Sequence, residues 1–98
     1  MKYYAKVYRV QNEVLVAVCD ENIRGKVFEE GELILDIRKE FYGDEVFTEE
    51  QVVLFLKEAT IANLVGEGVV SIAIKEGIID SENVLRVCGV PHAQMVRM

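Results

Sequence analysis

Ninety-eight residues and 11.1 kDa accommodate one domain. With 51% apolar and 29% charged residues, the chain can bury a core and stay soluble, which excludes a disordered tail, a collagen-like repeat and a coiled coil. A net charge of −6 makes nucleic acid an unfavoured partner, because neutralising phosphate needs clustered Lys and Arg.

The charge is uneven: residues 1–28 sum to +2, residues 29–50 to −7 and residues 51–98 to −1. The acidic segment 29–50 reads as a solvated face or as a docking surface for a basic partner protein. No stretch approaches the roughly 18 apolar residues of a spanning helix, and the start of the chain lacks the apolar run of a signal peptide. A cytoplasmic protein without a membrane segment is therefore expected. Cys19 and Cys88 are far apart and accompany a single His, so no zinc site or other metal centre is expected. Two reduced, buried thiols are the default. No cofactor motif is present, neither a phosphate loop nor a dinucleotide fingerprint.

Alternation over Tyr3 to Val10 predicts a strand, and the apolar run within Glu13 to Val18 predicts a second, buried on both faces. Gln11-Asn12 makes the pair a hairpin. Asp20 to Gly25 predicts one turn of helix with Asp20 as its cap. Val27-Phe28 is briefly extended, Glu30-Gly31 turns, and Leu33 to Ile37 is a third strand. Phe41 to Asp44 reads as an aromatic loop plugging one edge of the core. Thr48-Glu49-Glu50-Gln51 is a capping box, predicting a long helix from Glu49 to about Leu64. That helix is apolar on too many sides for one small sheet, so self-association is expected. Gly66-Glu67-Gly68 breaks it, and a second helix runs from about Glu67 to Glu76, closed by Gly77. Val84 to Cys88 and Ala93 to Val96 read as strands joined through Gly89 to His92. The expectation is an α+β two-layer sandwich: a mostly antiparallel sheet of about five strands with two helices on one face.

Three constellations could carry chemistry. In Asn63 to Glu67, Asn63 should point inward near a helix end, where its amide must find partners. With Glu67 it either caps the broken helix or lines a ligand site, and the amides after Gly66 could hold a small anion. In Val90 to Gln94, His92 is either a turn residue fixed behind Pro91 or a group titrating near neutrality, with Gln94 beside it. In Cys19 to Lys26, a thiol before a helix start would be activated, although Asp20 and Glu21 oppose this. The candidate site residues are thus Asp20, Lys26, Asn63, Gly66, Glu67, His92 and Gln94. No catalytic signature joins them.

Cys19-Asp20-Glu21 with Gly25-Lys26, Asn63-Leu64-Val65-Gly66-Glu67, Gly77-Ile78-Ile79 and Gly89-Val90-Pro91-His92-Ala93-Gln94 together resemble Domain of Unknown Function 424, a family of small archaeal proteins. The resemblance spans nearly the whole chain. It implies a single-domain cytosolic archaeal protein with a two-layer α/β fold, and it brings no activity with it. Two readings of function remain. One is an interaction or accessory module, tied to the translation or RNA machinery through a protein partner. The other is a small-ligand-binding protein or enzyme with a pocket around Asn63, Glu67 and His92.

Overall fold

The computed structural model describes residues 1–97. Tyr3–Val10 forms β1 and Glu13–Asp20 forms β2, paired antiparallel from Tyr3 opposite Asp20 to Val10 opposite Glu13. The two-residue turn puts Gln11 at φ +54°, a left-handed conformation that a polar residue tolerates in a tight hairpin. One 3-10 turn follows at Glu21–Ile23. Then come β3 (Val27–Glu30), β4 (Leu33–Asp36) and a single turn of helix, α1 (Lys39–Tyr42). The segment read as an aromatic loop, Phe41 to Asp44, therefore begins in the second half of that turn, which Gly43 ends.

β5 (Val46–Phe47) pairs with the start of β1, and α2 (Glu49–Glu58) begins at the expected capping box. Thr48 Oγ1 accepts from the Gln51 N–H at 3.3 Å, and Gln51 Oε1 accepts from the Thr48 N–H at 2.9 Å. The helix does not run to Leu64. It stops at Glu58, and Ile61–Val65 forms β6. Thr60 makes the change of direction: its N–H bonds Val14 O at 2.8 Å, and its hydroxyl accepts from the Val14 N–H at 2.8 Å. Those bonds dock the chain beside β2, where β6 pairs in parallel, Leu15 opposite Ile61 through Cys19 opposite Val65. A strand flanked by partners and covered on both faces is mostly apolar, and Ile61–Val65, with Asn63 its one polar residue, carries no period of two to distinguish it from a helix.

α3 (Glu67–Lys75) ends as expected. Gly77 takes φ +73°, its N–H bonds Ile74 O, and the Ile78 N–H bonds Ala73 O at 2.8 Å. After a 3-10 turn at Ser81–Asn83 come β7 (Leu85–Val87) and β8 (Val90–Val96). Their connection is a two-residue turn at Cys88-Gly89, both with positive φ. Pro91 and His92 therefore lie within β8 and not in the joint.

The six-stranded sheet has the order β5-β1-β2-β6-β8-β7, and β2–β6 is its one parallel pair; β3 and β4 form a separate hairpin. The sheet is mixed and mostly antiparallel, as expected of an α+β chain, but two layers do not describe it. On one face Tyr3, Ala5, Val16, Val18, Ala62, Leu64 and Ala93 pack against Val52 and Leu56 of α2 and Val69, Val70 and Ala73 of α3. On the other, Ala17, Cys19, Val65 and Val87 pack against Leu35, Ile37 and Tyr42 of an arm made of β3, β4 and α1. Of the apolar residues expected on one long helix, Val52, Leu56, Ala59, Ala62 and Leu64 are buried in the first of these clusters, and Leu54 is exposed.

The arm is tied down at the carboxyl end of α1. Lys6 Nζ donates to Glu40 O at 3.2 Å, Tyr8 Oη to Phe41 O at 2.7 Å, and Arg24 Nε to Gly43 O at 2.7 Å. Cations suit the negative end of a helical turn. Arg24 also lies 4.3 Å over the Tyr4 ring and pairs with Asp44. Two of the bases in the positive start of the chain are thus engaged within the fold. The acidic run 29–50 is divided as well: Glu29, Glu30 and Glu32 lie on or beside the hairpin, whereas Glu49 and Glu50 start α2 on the opposite face.

Candidate binding cleft

Asn63 sits on β6 and not on a helix. Its neighbours in register are Ala17 on β2 and Gln94 on β8, and these residues face the arm. His92, two residues from Gln94, lies on the same face opposite Val65. Together Asn63 and His92 enter a cleft of about 350 Å³ whose other wall is Ile34, Leu35, Asp36, Arg38, Phe41 and Tyr42 of the arm. A volume in this range suits a small ligand.

Each polar group here has a defined environment. Tyr42 is buried, and its hydroxyl donates to Asn63 Oδ1 at 2.8 Å. Burial raises the Tyr42 pKa, so the proton of this bond stays on the phenol at physiological pH. The bond fixes the carboxamide orientation of Asn63 and leaves its NH2 and one Oδ1 lone pair for a guest. Arg38 Nε donates to Asp36 Oδ2 at 3.1 Å, so the arm's charges balance at the rim. Phe41 is held by stacking on Tyr8 (centroids 5.6 Å apart) and by an edge contact with Tyr42 (5.0 Å).

Partial burial lowers the His92 pKa below 6.5, and the charged groups facing it across the cleft, Asp36 and Arg38, offset one another. The imidazole is neutral at pH 7. Because the unfolded chain binds this proton more readily, stability rises with pH from the lowered folded value up to about 6.5 and is level above. His92→Gln should flatten that limb of a plot of urea midpoint against pH. A slope unchanged in the variant would assign it to another group.

The other candidates lie elsewhere. Asp20 does not cap the 3-10 turn that follows it; it caps α3. Its Oδ2 accepts from the Gly68 N–H at 2.8 Å and its Oδ1 from the Val69 N–H at 2.9 Å. The helix start that the sequence offered to an anion is therefore filled by the chain's own carboxylate. Gly66 lies against this side chain at φ +120°. Glu67 turns outward to Arg86 Nη1 at 2.5 Å. Asp20, Gly66 and Glu67 line a second cleft of about 210 Å³ with Gly89 and Pro91, separate from that of Asn63 and His92. Lys26 is exposed, its backbone bonding Ile23 and Ile37, and it enters neither cleft. Gln94 is exposed beside Asn63.

Tyr42 and Arg38 were not among the sequence candidates. The available signal was Tyr42 itself, since a buried tyrosine hydroxyl requires a partner.

Cys19 is fully buried, and burial together with Asp20 pushes its thiol up to about 12, so it is no activated nucleophile. Cys88 is exposed at its hairpin turn, contrary to the expectation of two buried thiols, and both cysteines are free. Native protein should take up one equivalent of iodoacetamide, at Cys88, with Cys19 reacting only after unfolding. Rapid native modification of Cys19, read by peptide mass mapping, would contradict its burial.

Comparisons with known proteins agree with this architecture. The crystal structure of an uncharacterized conserved protein from Methanopyrus kandleri is similar at a TM-score of 0.78 and 19% identity, over 100% of this chain and 96% of that one. At that identity the likeness is one of fold. The family model described as a protein of unknown function (DUF424) matches residues 8–98. No curated protein matches the chain. Among the described residues, no helix is long and apolar enough to cross a membrane.

Proposed function

For a chain that belongs to the DUF424 family, whose function is unknown, we propose the role of a recognition module that binds a small polar ligand between the sheet and the arm. The observation that carries this reading is the Asn63 carboxamide, fixed by Tyr42 and set beside neutral His92 in a preformed cleft. Two of the three residues expected to form a pocket, Asn63 and His92, support it, with Arg38 and Tyr42 beside them and Glu67 outside. His92 has no carboxylate hydrogen bond among the described residues, and a recognition role needs none, whereas proton transfer would call for a second positioned group.

A nitrogen-15 NMR screen of polar fragments tests the reading. Hits should shift the Asn63 side-chain amide and the His92 backbone and be lost in Asn63→Ala. Hits that shift only residues outside the cleft would remove the basis for it.

Docking of a basic partner protein is a second reading, favoured by the outward face of the β3–β4 hairpin. There Val27 lies opposite Asp36 and Glu29 opposite Ile34, with Val27 54% and Ile34 65% exposed. Glu29→Lys should weaken such a partner, and an unchanged complex would exclude this surface. The comparisons carry no link to the translation or RNA machinery.

A further inference from the structure

Resting on the binding reading above, we propose that the cleft takes a neutral nucleobase, and specifically one that presents an exocyclic amine beside a ring nitrogen, as adenine does. The charge balance points first to an uncharged ligand. Arg38 is matched by Asp36 at 3.1 Å, and Asn63 and Tyr42 carry no charge. A phosphate or carboxylate would meet no net positive charge, and a cation no net negative one. The walls admit a flat ligand next: Leu35 and a Phe41 ring immobilised by two aromatic neighbours give apolar contact beside the polar side chains of Asn63 and His92.

The hydrogen-bonding edge narrows the class further. A carboxamide presents a donor and an acceptor side by side, the pattern by which Asn pairs with the amine and ring nitrogen of adenine. A free carboxamide could rotate by half a turn and exchange the two. Here it cannot do so without losing the Tyr42 bond, because a phenol donates to Oδ1 but would meet an NH2 donor after the flip. The order of donor and acceptor is thereby set. On the Watson–Crick edge adenine presents an amine beside an acceptor nitrogen and hypoxanthine a carbonyl beside a ring N–H, opposite orders for bases seated the same way round, so Tyr42 is a positioning residue for specificity that need not touch the ligand.

The test titrates full-length protein with adenosine and with inosine, following the Asn63 side-chain amide and His92 by NMR. Adenosine should bind at least about tenfold more tightly, the size of one well-made paired contact. In Tyr42→Phe, which keeps the ring in its buried site, adenosine should still bind but its advantage over inosine should collapse. Equal affinity for both nucleosides in the wild-type protein overturns the proposal, as does a preference unchanged in Tyr42→Phe.

A six-nucleotide oligoadenylate serves as the polymer arm. Affinity per base equal to that of adenosine supports recognition of the base itself. Binding of the oligomer alone, falling steeply with salt, places the affinity in phosphate contacts and overturns it. A cleft that takes other polar fragments at Asn63 and His92, but neither nucleoside, overturns the base assignment and leaves the binding reading standing.

Discussion

Gly66→Ala should lower stability by about 3 kcal/mol, the upper end of the cost of a strained backbone residue, and a steric collision should add to it. Gly66 stands at φ +120°, ψ 152°, a conformation essentially confined to glycine. A Cβ there would lie 2.6 Å from Asp20 Oδ2. Asp20 cannot move away without releasing the Gly68 and Val69 amides at the start of α3. Urea denaturation gives the measurement, and a loss under about 1 kcal/mol, ordinary for a surface change, would sink the account.

Asp20→Ala alone should cost about 1–3 kcal/mol for each amide left buried without an acceptor. The double variant supplies the sharper result. Removing Asp20 also removes the obstacle, so Gly66→Ala with Asp20→Ala should lose less than the sum of the two. Strict additivity would mean that backbone strain is the whole cost at Gly66.

Leu64→Ala should cost about 2–5 kcal/mol, the range for a fully buried leucine whose cavity cannot collapse. Leu64 is fully buried under α2 and α3. Its neighbour Asn63 faces the opposite side of β6, at the cleft. Asn63→Ala should cost about 1–3 kcal/mol, for the buried Tyr42 hydroxyl left without its acceptor, while abolishing ligand shifts there. A loss under about 1 kcal/mol in Leu64→Ala would contradict its burial beneath the helices.

Local signals in the sequence were legible because they act over a few residues. Thr48 and Gln51 mark their helix start, Gln11-Asn12 its hairpin, and Gly77 its helix end with hydrogen bonds that span no more than six residues. The end of α2 was hidden because Ala59 and Thr60 break nothing by themselves; it is their bonding to β2 that turns the chain. Asn63 and His92 drew notice as polar residues in apolar surroundings, but only the β6–β8 register brings them to one face. Arg38 and Tyr42 join them because the arm folds back across the sheet, a long-range event with no local signature. Glu67 failed to join because its backbone begins α3 and its carboxylate meets Arg86 instead.

The position of β6 has a consequence for how the molecule opens. β5, β1 and β2 form one ribbon and β8 and β7 another, and β6 alone is hydrogen-bonded to both. Neither ribbon can part from the other while β6 stays paired, and β6 cannot leave without dissolving both seams at once. Its amides should therefore exchange with deuterium only through global unfolding, whereas β5 and β7 at the sheet edges exchange by local fraying. The strand that carries Asn63 is thus the last to loosen, and the cleft is anchored on the least mobile element of the protein.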